Sequence, residues 1–204
     1  MKVLLLNGSP HENGCIFTSL SEISATLQAE GIESEILWIG TKPVQGCTAC
    51  GKCKSGSGCV FKDELYSAFT EKMQSSDAII IGSPVYYAGA PGSLCAILDR
   101  TFYSAAGLFR HKPAACVVNC RRGGASSTFD RLNKYFTLLQ MPIVSSQYWN
   151  STHGSKPEDV KQDLEGLQTM RTLARNMAYM LKTMKDSTVP RPEPEPHVVT
   201  SFIR

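Results

Sequence analysis

The sequence predicts an α/β fold in which five parallel strands form one sheet with helices on both faces. Strand and helix patterns alternate along the chain, as they do in doubly wound sheets. The run Asp77-Ala-Ile-Ile-Ile-Gly82 is apolar, which is typical of a central parallel strand buried on both faces. Between Val3 and Cys15, a buried strand, a polar turn and a helix start follow one another.

The first half of the chain is expected to begin with a strand at Lys2–Asn7. A second strand is expected at Glu33–Ile39, after a helix that ends at Gly31 and buries Ile16, Leu20, Ile23 and Leu27. Asp63 should cap the next helix, whose apolar face carries Leu65, Phe69 and Met73.

The second half is expected to continue with a helix around Leu94–Tyr103, closed by an ion pair between Asp99 and Arg100. A fourth strand at Ala114–Asn119 and a fifth at Pro142–Tyr148 enclose a helix near Ser127–Leu139. Ser127 and Asp130 have the spacing of a capping box at the start of that helix.

A single last helix is expected to open at Ser155 and Glu158, again with capping-box spacing. Its buried face should carry Val160, Leu164, Leu167, Ala174, Met177, Leu181 and Met184. We therefore expect one domain over residues 1–186 and a Pro-rich tail over residues 187–204.

Composition and charge exclude several classes of function. The 204 residues carry a net charge of +3 without a basic run, which gives no reason to expect nucleic acid as a partner. No apolar stretch approaches the ~20 residues of a membrane span. The chain enters its first strand without a signal peptide, so we expect a cytoplasmic protein whose eight cysteines are reduced thiols or metal ligands.

The turn after the first strand has the character of a phosphate site. A triphosphate loop would need a Lys and a Ser or Thr after its last glycine, but Cys15 and Ile16 follow Gly14. The dinucleotide fingerprint of three glycines is also missing. A monophosphate held by Ser9, Asn13 and backbone amides fits the turn, and an ordinary connection between strand and helix is the alternative.

Loops that follow strands one, three, four and five should converge, because ligands of such sheets bind at the carboxyl ends of the strands. Two of these loops combine small residues with aromatic rings or arginines, which suits a planar ligand that forms hydrogen bonds. The four segments are Ser9–Cys15, Ser83–Gly92, Cys120–Ala125 and Trp149–His153.

Over residues 1–185 the sequence resembles the NAD(P)H-dependent FMN reductases of flavodoxin-like fold. The resemblance depends on Gly8-Ser9-Pro10 with Asn13-Gly14, on Gly82-Ser83-Pro84-Val85-Tyr86 and on Asp99-Arg100. It implies a three-layer sandwich whose five-stranded parallel sheet has the strand order 2-1-3-4-5.

The resemblance also implies which residues bind FMN. The phosphate would be held by Ser9, Asn13, Gly14, Cys15, Phe17 and Thr18. The isoalloxazine ring would be lined by Pro84, Val85, Tyr86, Tyr87 and Gly89 on one side and by Arg121, Arg122, Gly123 and Gly124 on the other. The family usually has a polar residue near Cys15 and Ile16, so the hydroxyl donor here is expected from Thr18.

The implied activity is transfer of hydride from NAD(P)H to FMN and then of electrons to a small acceptor such as a quinone, flavin, nitro or azo compound. Arg121 and Arg122 are candidates for stabilising negative charge on the reduced ring, and Cys120 is a third catalytic candidate. A flavin-binding regulatory module without turnover is an alternative. The resemblance further implies a homodimer or homotetramer, with Tyr148, Trp149 and the tail as candidate contacts.

Four cysteines form a second motif, Cys47-x2-Cys50-x2-Cys53-x5-Cys59. This spacing can wrap a [4Fe–4S] cluster and resembles the compact motif of iron–sulfur flavoproteins, a branch of the same fold. Such a cluster would make the chain an electron carrier. Zinc binding and free or redox-active thiols are the other interpretations of the motif.

Overall fold

The computed structural model describes residues 1–196, 198–200 and 202. Five parallel strands form one sheet in the order β2-β1-β3-β4-β5, which confirms the predicted fold class. The strands are β1 (Lys2–Asn7), β2 (Glu33–Trp38), β3 (Ala78–Pro84), β4 (Ala114–Cys120) and β5 (Ser151–His153). Strand order reverses between β1 and β3, and sheets of this type bind their ligands at such a point.

Helices cover both faces of this sheet because successive side chains of a strand point to opposite sides. Leu4 and Leu6 pack with the helices on one face, and Val3 and Leu5 pack with those on the other. The first face carries α2 (Glu64–Gln74), α3 (Gly92–Ser104) and α4 (Ala125–Leu138), and the second carries α1 (Cys15–Ala29) and α6 (Leu164–Asp186). The remaining helix, α5 (Pro157–Gln162), packs on α1.

Two predicted helix ends are confirmed by their hydrogen bonds. Gly31 has a positive φ of 75°, and the amide of Ile32 after it donates to the carbonyl of Leu27 at 2.9 Å. At the start of α2, the Asp63 carboxylate accepts from the amide of Tyr66 at 3.0 Å. Both ends follow from local residue chemistry, since Gly tolerates positive φ and Asp accepts from free first-turn amides.

The predicted fifth strand at Pro142–Tyr148 is wrong, because β5 is Ser151–His153. Ile143 does form one bridge with Ala114, but the chain then leaves the sheet. The buried side-chain amide of Asn150 donates to the backbone carbonyl of Cys116 at 3.1 Å. The backbone carbonyl of Asn150 accepts from the amide of Val118. A side-chain amide therefore replaces part of the strand pairing.

The predicted single last helix is also wrong, since the chain forms α5 and then α6. Asp163 separates them and caps α6 by accepting from the amide of Gly166 at 2.9 Å. Leu164, predicted to be buried, lies on the first turn of α6 and is 75% exposed. The break follows from the preference of Asp for a cap over a helix interior.

Neither predicted capping box forms. Helix α4 follows Gly124 without a side-chain cap from the described residues, and the hydroxyl of Ser127 donates to the carbonyl of Ala88 instead. Near α5, Asp159 and not Glu158 accepts the backbone hydrogen bond from Ser155.

The predicted ion pair between Asp99 and Arg100 is wrong as well. Neighbours on a helix point in different directions, so each finds another partner. Arg100 turns inward to Asp63, with 2.6 Å between Nη1 and Oδ2. Asp99 faces α4, where it accepts from the hydroxyl of Tyr135 and lies 3.7 Å from Nη2 of Arg131.

Within the described part of the chain, no helix is both long and apolar enough to cross a membrane. The division into a domain at 1–186 and a tail at 187–204 stays a prediction. Val198, Val199 and Phe202 of the tail are exposed. Residues 197, 201, 203 and 204 of that predicted tail lie outside the described residues.

Glu35 on β2 should make stability depend on pH. Hydrogen bonds from Lys2 and Lys72 hold the pKa of Glu35 below its ordinary 4.5, despite the opposing effect of burial. The stabilisation is therefore present above pH 4.5 and is lost as the pH falls through the lowered pKa. We expect Glu35→Gln to lower the free energy of unfolding by at most about 1 kcal/mol at pH 7.

Urea unfolding of both proteins at several pH values measures this difference. It should shrink below pH 4.5 and disappear in stronger acid. A difference that stays constant across the acid range would contradict the assignment of Glu35 as the titrating group.

Candidate functional site

The turn between β1 and α1 is held close to the end of β3. The amide of Gly8 donates to the carbonyl of Gly82 at 2.9 Å. A Cβ atom at Gly8 would come within 2.4 Å of Leu94 and 2.7 Å of that carbonyl, so only glycine fits. Ser9, which is 4% exposed, donates its amide to Asn7 and accepts from the amide of His11 with its hydroxyl at 3.1 Å. The polar turn is thus fixed against the sheet.

The start of α1 leaves backbone donors available. Among the described residues, no side chain caps this helix and no acidic side chain lies in its first turn. Its N-cap is Gly14, which is followed by Cys15 and Ile16. The first-turn amides and the positive end of the helix dipole therefore face the turn without a built-in acceptor, an arrangement that binds anions.

The individual residues predicted at the phosphate lie around this helix start. Cys15 and Phe17 are half-buried, while Asn13 is exposed. The hydroxyl of Thr18 donates to the carbonyl of Gly14 at 3.2 Å, so it already has a partner. Burial raises the pKa of Cys15, which keeps this thiol neutral. Backbone amides are consequently the principal donors that the helix start offers.

Contacts join the loops after β1, β3 and β4 to Gly154, which follows β5. The first loop reaches the segment after β5, since the Cys15 sulfur lies 3.8 Å from the carbonyl oxygen of Gly154. The amide of Gly154 donates to the carbonyl of Cys120 at the end of β4. Val85, after β3, donates its amide to Asn119 of β4 at 3.1 Å. The loops after β1, β3 and β4 therefore converge as predicted, whereas the predicted fourth loop, Trp149–His153, is wrong because Ser151–His153 is β5 and Gly154 after it makes the contacts.

A tight turn at Tyr86–Gly89 forms one wall of this edge. Tyr86 and Gly89 exchange two backbone hydrogen bonds of 2.8 and 3.0 Å across it. The central residues, Tyr87 and Ala88, have positive φ values of 50° and 58°. Non-glycine residues at positive φ store strain, and such strain concentrates at functional sites. Tyr87 is fully exposed and Tyr86 about half exposed, so both rings are available for contact.

The loop after β4 forms the opposite wall. Arg121, Arg122 and Gly123 are exposed, while Gly124 approaches the Tyr86–Gly89 turn closely. Cys120 is 4% exposed. Burial raises the pKa of Cys120, although the amides of Arg122 and Ala125 oppose this effect, so the thiol is neutral and gives no support to a thiolate role.

Two residues that the sequence analysis missed border the turn after β1. The indole Nε1 of Trp38 donates to the carbonyl of Ser9 at 2.8 Å. Lys156, which precedes α5, lines a cavity of about 560 Å³ together with Pro10–Cys15 and Trp38. Trp38 ends the strand beside β1, and a partly buried indole N–H usually has a hydrogen-bond acceptor. Its position in the sequence therefore indicated a contact with the turn after β1. Nothing in the sequence indicated Lys156, because only the tertiary fold brings this residue to the turn after β1.

The four motif cysteines line a separate pocket, formed by the loop at residues 46–60, which we call the cysteine loop. Tyr103 and Ser104 of α3 and the guanidinium of Arg100 complete its lining. Cys47 and Cys50 are exposed, while Cys53 and Cys59 are half-buried. In the described part of the chain, no three His, Cys, Asp or Glu side chains stand in an arrangement that would hold a metal ion. The thiols share a pocket but are not drawn together around a centre.

Arg100 and Asp63 are the charged groups beside this pocket. Burial would raise the pKa of Asp63, but the Tyr66 amide and the Arg100 guanidinium outweigh it, and the pKa is lowered. Burial likewise would lower the pKa of Arg100, while Asp63 and the Cys59 sulfur raise it above its ordinary value. Both groups are therefore ionised at neutral pH.

Comparison with known proteins agrees with this geometry. The family model described as NADPH-dependent FMN reductase matches residues 1–156. The chain belongs to this family. An iron–sulfur flavoprotein of Methanocaldococcus jannaschii is 31% identical over 193 residues, which cover 91% of this chain and 100% of the relative.

Solved structures support the flavodoxin-like fold of this FMN reductase family member. A WrbA-like flavodoxin from Agrobacterium tumefaciens superposes with a TM-score of 0.61 at 15% identity, covering 89% of this chain and 97% of that one. The flavoenzyme NAD(P)H:(acceptor) oxidoreductase from Paracoccus denitrificans does so with a TM-score of 0.67 at 15% identity and the same coverage.

The residue-by-residue assignment of FMN ligands stays a prediction, as does the homodimer or homotetramer. Tyr148 and Trp149, named as candidate contacts, are 60% and 56% exposed and pack against each other with 5.1 Å between ring centroids.

Glycine should be required at position 124, where the loop after β4 meets the Tyr86–Gly89 turn. Its φ is +89°, and a Cβ atom would come within 2.8 Å of Val85 and 2.9 Å of the Ala88 backbone. We expect Gly124→Ala to lower the free energy of unfolding by about 1–3 kcal/mol in urea unfolding.

Gly107→Ala is the matched control, because nothing lies within 4 Å of its added methyl group and its φ is not positive. Equal stability of the Gly124→Ala and Gly107→Ala proteins would contradict the close approach of the two loops.

Proposed function

We propose that this chain is an FMN-dependent oxidoreductase that takes electrons from NAD(P)H and delivers them to a small acceptor, such as a quinone, flavin, nitro or azo compound. The observation that carries the proposal is the convergence of four strand-end loops around the uncapped start of α1. Family membership supports the flavin and the reaction class. The eight free thiols suit a reducing compartment, and we infer a cytoplasmic protein on that basis.

The backbone amides of the turn and Lys156 fit a phosphate, while Glu12 lines the same cavity with the opposite charge. The first-turn amides of α1 offer hydrogen bonds without a competing side-chain acceptor from the described residues. Lys156 supplies a positive charge at the edge of the same cavity. Trp38 fixes the carbonyl of Ser9 and thereby the path of the turn. These groups would bind and orient the phosphate end of FMN.

The two loop walls would hold the ring end. Gly124 lies close to the Val85 side chain and the Ala88 backbone there, and the exposed rings of Tyr86 and Tyr87 can exclude water from an aromatic face. When bound, FMN supplies the hydride and electron transfer chemistry itself. Arg121 and Arg122 would stabilise negative charge at the ring edge, since both guanidinium groups are exposed on the loop after β4.

Flavin titration tests the phosphate site directly. Ser9→Ala removes the hydroxyl that accepts from the amide of His11 and loosens the turn. We expect its Kd for FMN to rise about tenfold, which corresponds to one lost hydrogen bond of about 1.4 kcal/mol, while the Kd for riboflavin changes little.

The control variant is Ser24→Ala, which removes a hydrogen bond of 2.8 Å to Ser34 elsewhere on α1. It should bind FMN as the parent protein does. Equal weakening of FMN and riboflavin by Ser9→Ala would show that the turn does not recognise the phosphate.

An iron–sulfur electron carrier is the second candidate function. It is favoured by the common pocket of Cys47, Cys50, Cys53 and Cys59 and by the name of the M. jannaschii relative. Thiolates are the right ligands for a [4Fe–4S] cluster, but the described side chains do not form a metal site as they stand. The cysteine loop would have to draw the four sulfur atoms together.

Anaerobic purification with flavin, iron and sulfide assays distinguishes the two candidates. A cluster predicts about four iron and four sulfide per chain, lost in Cys50→Ser and retained in Cys95→Ser, whose half-buried thiol lies outside the motif. Zinc without iron would reject the cluster. Flavin with no metal and steady NAD(P)H oxidation would reject the cluster and support the reductase.

A further inference from the structure

Arg100 is the largest side chain that the fold buries completely, and nothing in the proposed flavin chemistry uses it. The residue is 1% exposed and lies on α3, and its guanidinium contacts Gln45 and Phe61 beside the cysteine loop. A buried cation is costly unless hydrogen bonds and an opposite charge compensate it. The contacts of Arg100 therefore indicate which part of the structure this buried charge stabilises.

The guanidinium contacts the chain on both sides of the cysteine loop. Nη1 donates to the carbonyl of Gln45 at 3.0 Å, two residues before Cys47. Nη2 donates to the carbonyl of Phe61, two residues after Cys59. One side chain thus joins the entry and the exit of the loop.

Further contacts fix the guanidinium itself. Asp63 pairs with Nη1 at 2.6 Å and at the same time caps α2, which attaches the group to a regular element. The rings of Tyr66 and Phe61 lie 5.2 and 5.9 Å from the guanidinium carbon, within the range of cation–π attraction. The hydroxyl of Tyr66 accepts from the amide of Cys59 at 3.0 Å, which adds a second tie at the loop exit.

The loop between these ties has little support of its own. It contains one short 3₁₀ turn at Lys52–Ser55, and its four positive-φ residues are Ala49, Gly51, Gly56 and Gly58. Most of its side chains are exposed. With so few internal contacts, the position of the four thiols depends on how the loop ends are held.

We propose that Arg100 is a positioning residue that clamps both ends of the cysteine loop and so keeps Cys47, Cys50, Cys53 and Cys59 at one pocket. The planar fork of the guanidinium carries out this task because it can donate to two carbonyls and a carboxylate at once. A lysine has a single point of charge and cannot span both carbonyls. The clamp acts in the metal-free chain and does not depend on whether the thiols bind a cluster.

Arg100→Lys tests the clamp in the purified full-length protein, after removal of any metal. Backbone amide exchange and the rate of thiol alkylation are followed by peptide mass spectrometry. We expect alkylation of the half-buried thiols Cys53 and Cys59 and exchange of the Cys59 amide, which donates to Tyr66, to rise about tenfold, while exchange in β1, β3 and β4 stays at the parent rate.

Arg131→Lys is the matched control, since Arg131 also stacks on a tyrosine and faces a carboxylate but lies on α4, away from the cysteine loop. Arg131→Lys should leave amide exchange and thiol alkylation in the cysteine loop at the parent rates. Parent-like exchange and alkylation in Arg100→Lys would overturn the clamp.

A measurement on the parent protein decides the matter if Arg100→Lys does not fold. Limited proteolysis at increasing low urea concentrations reports which segments open together. Because one group holds both ends, cleavage within residues 44–47 and within residues 59–62 should begin in a single step with the same urea dependence. Independent opening of the two ends would refute the proposal, whereas loss of flavin binding or reductase activity has no bearing on it.

Discussion

The hydrogen bond from the amide of Gly8 to the carbonyl of Gly82 is the contact on which the flavin site depends. It fixes the turn after β1 to the end of β3, where the strand order of the sheet reverses. The absence of a side chain at Gly8 allows Leu94 to pack directly on the turn. The start of α1 therefore lies at the same edge of the sheet as the loops after β3 and β4. Under the proposed function, the turn after β1 would hold the phosphate end of FMN and the loops after β3 and β4 its ring end.

Helix α3 links this site to the cysteine loop. Its first turn places Leu94 against the phosphate turn, and Arg100 follows six residues later on the side that faces the loop. At a rise of about 1.5 Å per residue the two contacts are about 9 Å apart along the helix. One rigid element therefore sets the position of both sites. Any centre held by the four thiols would lie on the same side of the sheet as α3.

The resemblance to FMN reductases implied the strand order, and the general rule for parallel sheets predicted that the loops after β1, β3 and β4 meet. Local chemistry in the sequence predicted the Asp63 cap and the Gly31 helix end. It failed where a tertiary contact replaces a local rule. Asn150 takes over pairing to Cys116, so the apolar pattern at residues 142–148 does not form β5. Arg100 and Asp99 look like a pair in sequence, but the helix points them to different neighbours. Lys156 reaches the phosphate turn only through the fold.

The central claim is that backbone donors at the start of α1 bind the phosphate of FMN. Phosphorus NMR of the FMN complex tests it most directly, because a free phosphate monoester titrates with a second pKa of about 6. A dianion held by the amides of α1 and by Lys156 should keep a constant phosphorus shift from about pH 5.5 to about pH 8, the range around that pKa. A shift that titrates as it does in free FMN would contradict the account.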